Sequence, residues 1–215
     1  MTGKEVVAMA DSGVLSADAP ERPIGIARLR DFVRDMAAVV EAERHEEAVL
    51  DRGGALLEEL VAQDDWLPEP FAQPVPAGYA QYLLHCDSRE RFSVVSFVWG
   101  PGAGTAIHNH TVWGLVGLLR GRECSEGFTR AADGKLTPGP VCYLAPGEVE
   151  TVSPAKGDIH RVSNALADRP SISIHVYGGN IGALRRCTFT PDGATELFIS
   201  GYANDVLPNL WDQSR

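Results

Sequence analysis

Six histidines occur in this 215-residue chain, and two of them stand where imidazoles could share one ion. His108 and His110 are two apart, and residues two apart on a strand face the same way. His160 follows the turn-like stretch Pro154-Ala155-Lys156-Gly157-Asp158 and opens a run of strand character. Neutral imidazole suits iron, zinc, copper and nickel, so the chemistry on offer is that of a mononuclear metal centre. A second group lies on Ser171-Ile172-Ser173-Ile174-His175-Val176-Tyr177. Strict alternation puts Ser173, His175 and Tyr177 on one face and the apolar residues on the other. Buried together, a hydroxyl, an imidazole and a phenol must hydrogen-bond to one another. Such a chain can fix a histidine tautomer and aim the phenol at a ligand on a metal. The same alternation also describes an ordinary strand with its polar side in solvent. A serine hydrolase triad fits less well, because there is no G-x-S-x-G elbow and no carboxylate in the row to orient the histidine.

These groups need elements to hold them. Residues 1 to 23 are rich in small and polar types and are expected to be an irregular arm. From Ile24 to Ala62 apolar residues recur every three or four positions, which predicts two amphipathic helices with Gly53-Gly54 as the interruption between them. After Pro68, Pro70, Pro74 and Pro76 the pattern turns β-like. Strands are predicted at Tyr79 to His85, Phe92 to Trp99, Gly114 to Arg120, Val141 to Leu144, His160 to Val162, Ile172 to Tyr177 and Leu184 to Phe189. Turn signals such as Asp133-Gly134, Pro138-Gly139 and Pro191-Asp192-Gly193 fall between them. Many short strands with frequent turns predict a sandwich or barrel. The division expected is residues 1–66 as arm and helices packed on the outside and residues 67–215 as the β unit, one structural domain in all.

Apolar residues at 44% and charged residues at 22% are ordinary for a soluble globular chain. A formal charge of −10 argues against nucleic acid or an anionic membrane as partner. No segment has the makings of a signal peptide or a membrane span, and Cys86, Cys124, Cys142 and Cys187 include no C-x-x-C pair. The expectation is a cytoplasmic protein with reduced thiols. The cysteines, His45 and His85 read as structural or exposed, and Trp113 as a core aromatic.

The stretch Gly102 to His110 and the stretch Pro154 to Asn164 resemble the two cupin signatures, G-x5-H-x-H-x3-4-E-x6-G and G-x5-P-x-G-x2-H-x3-N. Pro154 and Gly157 are one residue further apart than the pattern, and Gly114 stands where the first signature has glutamate, with the closing Gly121 in place. A two-histidine, one-carboxylate iron site is thereby ruled out at that position, leaving a neutral three-histidine face. With Ser173-x-His175-x-Tyr177 added, the chain from Tyr79 to Arg186 resembles the cupin thiol dioxygenases, a family that includes cysteine dioxygenase and 3-mercaptopropionate dioxygenase. The resemblance implies a mainly β cupin fold, a double-stranded β-helix or jelly-roll-like barrel with the N-terminal α-helices packed outside. It implies that His108, His110 and His160 hold Fe(2+), and that Ser173, His175 and Tyr177 order the site around a small thiol and O2. The reaction would add both oxygen atoms to sulfur and give a sulfinic acid, a rung of the thiol oxidation ladder.

Two departures bear on the substrate. Where the mammalian cysteine enzyme has a cysteine cross-linked to the site tyrosine, this chain has Gly114, so no cross-link to Tyr177 is expected. Where that enzyme has a carboxylate-binding arginine, this chain has Gln81, which resembles the 3-mercaptopropionate type, in which a later arginine takes the carboxylate. Arg186 fits that position better than Arg185, and a guanidinium fork suits the task. The alternatives are a cysteine dioxygenase, another metal-dependent cupin enzyme using zinc, manganese or nickel, and a ligand-binding cupin without catalysis. The acidic helices, with Glu41 to Glu47 and Glu58-Glu59, speak against a DNA-binding sensor.

Overall fold

The computed structural model describes residues 25–76 and 78–205, so the irregular arm expected over residues 1–23 lies outside the described residues. Helices α1 (Ala27–Ala42) and α2 (Glu46–Val61) come first, then a short 3-10 turn at Glu69–Phe71. Eleven strands follow: β1 (Tyr79–Cys86), β2 (Ser93–Trp99), β3 (Ile107–His108), β4 (Gly114–Arg120), β5 (Glu123–Arg130), β6 (Leu136–Leu144), β7 (Val149–Val152), β8 (Ile159–Asn164), β9 (Ser171–Tyr177), β10 (Arg186–Phe189) and β11 (Thr195–Phe198).

The helix boundary differs from the sequence expectation. The chain leaves the helix at Glu43, and His45 is extended, so Glu46 and Glu47 open α2, where acidic side chains suit the positive end of the helix. Gly53 and Gly54 lie inside α2 because the helix packs closely there. A Cβ at Gly53 would stand 3.0 Å from both Leu115 Cδ1 and Met36 Cε. β4 answers with a glycine of its own: a Cβ at Gly117 would meet Leu57 Cγ at 2.9 Å and Val61 Cγ1 at 3.0 Å.

The strands form two sheets, ordered β1-β2-β9-β4-β7 and β11-β10-β3-β8-β5-β6, with antiparallel pairing. From β2 to β10 the chain crosses repeatedly from one sheet to the other, so neighbours within a sheet come from distant segments, which makes the chain a double-stranded β-helix of the cupin type, mainly β with helices outside. β9 is buried along its whole length, at the centre of the first sheet. Its Ile172, Ile174 and Val176 join Leu29, Met36, Leu57 and Leu60 of the helices in the main core. The opposite face therefore looks into the space between the sheets, and Ser173, His175 and Tyr177 are turned inward rather than to solvent.

β5, β7 and β11 were not expected as strands. β5 is polar (Glu123-Cys124-Ser125-Glu126-Gly127) and β7 has four residues, so neither shows a clean alternation. β6 runs back to Leu136 through Pro138-Gly139-Pro140, which reads as a turn. At a sheet edge a proline's missing N–H leaves no ladder bond unmade. The helix layer depends on the fit at Gly117. We expect Gly117→Ala to destabilise the fold by about 1–3 kcal/mol, the usual cost of overpacking, read as a lower urea midpoint. A raised midpoint would contradict this packing.

Candidate metal centre and cavity

His108 on β3 lies directly opposite His160 on β8, and both are in the sheet that faces β9. His110 lies just past the end of β3, not on the strand that the two-residue spacing suggests. It is brought round by Thr111, a non-glycine residue at φ 64°. What holds this left-handed turn is Asp158, whose carboxylate accepts the backbone N–H groups of His110 (3.0 Å) and Thr111 (2.9 Å). The same carboxylate accepts from His110 Nδ1 at 2.8 Å.

The other two imidazoles are pinned in the same way. His108 Nδ1 donates to the Ala106 carbonyl at 3.0 Å, and His160 Nδ1 lies 3.3 Å from Ser125 Oγ, which donates to Glu150 at 3.0 Å. With every Nδ1 engaged outward, the Nε2 atoms turn inward, and the three ligand atoms lie within 4.8 Å of one another. His110 Nε2 is buried with no partner. Burial, with the neighbouring imidazoles and Arg186, holds His110 well below its ordinary pKa, and burial lowers His108 to about 4. His160 is likewise pushed well down by burial. At neutral pH the cluster is three uncharged lone pairs aimed at one point, a donor set that fits a transition-metal dication.

Gly114 shows why no carboxylate completes the set. A Cβ there would stand 2.9 Å from Tyr177 Cδ1, and the Tyr177 ring stacks on His110 with centroids 5.3 Å apart. The phenol occupies the room a glutamate would need. Ser173, His175 and Tyr177 form a continuous chain: Ser173 Oγ is 2.8 Å from His175 Nε2, and His175 Nδ1 is 2.8 Å from Tyr177 Oη. Trp99 Nε1–H donates to Ser173 Oγ at 3.1 Å. Burial lowers His175 to about 3 and raises Tyr177 above its ordinary value, so both stay neutral.

Beside the cluster opens a cavity of about 290 Å³, lined among others by His108, Tyr177, Phe97, Tyr79, Gln81 and Arg186. Arg186, 4% exposed, places Nη2 2.7 Å from Ser200 Oγ and its guanidinium over Phe198. Its Nε has no partner, and among the described residues no carboxylate forms an ion pair with it. Arg185 is exposed. Gln81 gives its amide to Ser200 Oγ (3.3 Å) and the Gly201 carbonyl (2.9 Å), so it braces the segment that holds Arg186. Asn164, the last residue of the second signature, ties the Gly100 and Arg169 carbonyls together and is no ligand.

Sequence reasoning left Asp158, Ser125, Glu123, Ser200 and Trp99 without roles. Asp158 had a signal, since two positions before His160 it shares that residue's side. Ser200 had none, because it meets Arg186 only through the return of the chain along β1. The four cysteines are free. Trp113 packs against the main core, with its indole against Gly178.

No family model matches the chain. Among solved structures it is similar to a double-stranded β-helix protein from Klebsiella pneumoniae, at 19% identity and a TM-score of 0.42 over 52% of this chain and 82% of that one. It is also similar to a cupin superfamily protein from Desulfitobacterium hafniense, at 14% identity and a TM-score of 0.41 over 55% and 94% of the two chains. In sequence it is similar to cysteine dioxygenase type 1 of Danio rerio, 26% identical over 153 residues, which cover 69% of this chain and 70% of that protein.

Proposed function

We propose that this chain is a thiol dioxygenase that holds Fe(II) through His108, His110 and His160 and converts a small thiol carboxylate, 3-mercaptopropionate first, to its sulfinic acid. The observation that carries the reading is one small cavity lined by His108 of the neutral three-histidine cluster, by Tyr177 and by a buried arginine that has no carboxylate partner among the described residues. The sequence similarity to a cysteine dioxygenase supports it.

Iron, when bound, supplies a Lewis-acidic and redox-active point at which thiol sulfur and O2 meet. The conversion balances without a co-reductant, since sulfur gives up the electrons that O2 takes and the thiol proton is released. Arg186 takes the substrate carboxylate. A buried guanidinium without a charged partner is costly, and an incoming carboxylate relieves that cost while fixing the substrate's orientation. The donor set carries no charge, so a thiolate is the ligand that best balances a dication there. Phe97, Tyr79 and Trp99 pack together beside the row and make that wall aromatic. Tyr177 presents its hydroxyl to the cavity as a hydrogen-bond donor to the oxidising sulfur or oxygen, while Ser173 and His175 hold it in place. Gln81 supports Arg186 through Ser200.

L-Cysteine is the second reading, favoured by the Danio rerio relative and by Glu196, an acidic residue among those lining the same cavity and suited to an ammonium group. Oxygen uptake by the Fe(II)-loaded protein with each thiol, with products identified by mass, decides between them. A far higher kcat/KM for 3-mercaptopropionate is expected; the reverse order makes the chain a cysteine dioxygenase. Uptake with neither leaves only another metal-dependent or ligand-binding cupin. Arg186→Ala should raise KM for the thiol carboxylate about 10–100-fold, as loss of a charge-assisted pair does, with a smaller effect on kcat. Equal losses for a thiol lacking the carboxylate would remove that role. Asp158→Asn leaves one acceptor for three donors, and metal affinity in a chelator competition should fall about 10–100-fold.

A further inference from the structure

At the inner end of the Ser173–His175–Tyr177 row lies Glu123, a carboxyl group that none of the roles above uses. It is 1% exposed, both its oxygens lack a completed hydrogen bond, and so does the hydroxyl of Ser171 beside it. No lysine or arginine among the described residues pairs with it. Its register partners, Asn164 on β8 and Leu144 on β6, do not titrate. The groups that act on it are the Ser173 and Ser171 hydroxyls of β9, Glu150 of β7 and, further along β9, Tyr177. Burial without a cation pushes its carboxyl up to about 8, so it is the neutral acid at neutral pH.

Ser173 decides how the row runs. An indole N–H only donates, so Ser173 Oγ accepts from Trp99 and has a single proton to give. One acceptor is His175 Nε2, 2.8 Å away; the other would be Glu123 in its ionised form. A proton given to His175 leaves that imidazole protonated on Nδ1, donating to Tyr177 Oη, and the phenol proton is then free for the cavity. A proton given to a Glu123 carboxylate reverses the row. His175 becomes the Nε2–H tautomer, its Nδ1 accepts from Tyr177, and the phenol no longer donates to the cavity.

We propose that Glu123 is a fourth member of the row, a positioning residue that competes poorly with His175 for the Ser173 proton and so keeps Tyr177 a donor to the cavity. The use made of the Tyr177 proton rests on the thiol dioxygenase reading; the tautomer of His175 does not.

Histidine side-chain 15N–1H spectra of the zinc-loaded full chain, followed from about pH 6 to about pH 10, read the tautomer directly. Wild-type His175 should carry its proton on Nδ1 at neutral pH and shift to Nε2 as Glu123 ionises, whereas Glu123→Gln, which cannot ionise, should hold Nδ1 throughout. In the iron-loaded protein, wild-type kcat should fall about tenfold between neutral pH and about 9.5, and that of Glu123→Gln less than about twofold. One tautomer through the whole wild-type titration overturns the proposal, with no variant needed, and so does an equal alkaline drop in Glu123→Gln. A tautomer switch without any thiol oxidation supports the role of Glu123 and removes the dioxygenase reading instead.

Discussion

Three imidazoles with ring centroids 4.8–4.9 Å apart in a dry interior coexist only if all are uncharged and each has its outward nitrogen held. Everything around the cluster serves that constraint. The Ala106 carbonyl, the Asp158 carboxylate and the Ser125 hydroxyl take the three Nδ1 atoms, so the rings cannot turn and the Nε2 lone pairs converge. Asp158 does more than one job, because the carboxylate that orients His110 also holds the left-handed turn at Thr111 that delivers it. The strain of that turn, commonly about 1–3 kcal/mol, is borne where it sets a functional residue.

The same demand for satisfied polar groups shapes the facing sheet. A hydroxyl, an imidazole and a phenol on the buried strand β9 are tolerated because they bond to one another and because Trp99 closes one end of the row. The other face of β9 is wholly apolar and anchored to α1 and α2. The helices thereby cover one side of β9 and leave the other to face the histidine cluster, while glycine-to-leucine contacts at Gly53 and Gly117 seat α2 on the adjacent β4. Tyr177 joins the two systems: it ends the row, stacks on His110 and fills the space left by Gly114.

Charge is distributed sparingly in this interior. Arg186 is the cation at the cavity wall, held by Ser200 and the Phe198 ring rather than by a carboxylate. Glu123 and Glu150 are carboxyls driven toward the neutral form by burial. A cavity so arranged has a standing attraction for a small anion, and the histidine donors beside it are themselves neutral.

The sequence by itself carried the His108–His110 pair, the face shared by Ser173, His175 and Tyr177, and the mainly β architecture, because strand periodicity and short-range spacing are local properties; His160 joined the pair through the likeness to the two cupin signatures. It also pointed to Gly114 as the missing carboxylate, though not to the Tyr177 ring as the reason. Only the tertiary structure decided what depends on distant segments meeting. It turned the polar face of β9 inward by covering the other face with helices, and it separated buried Arg186 from exposed Arg185. It tied Gln81 at the cavity wall to the segment that holds Arg186, and it brought Asp158 to His110. Side chains such as these have no periodic signature. Their roles come from the register of strands far apart in the chain, which local pattern does not encode.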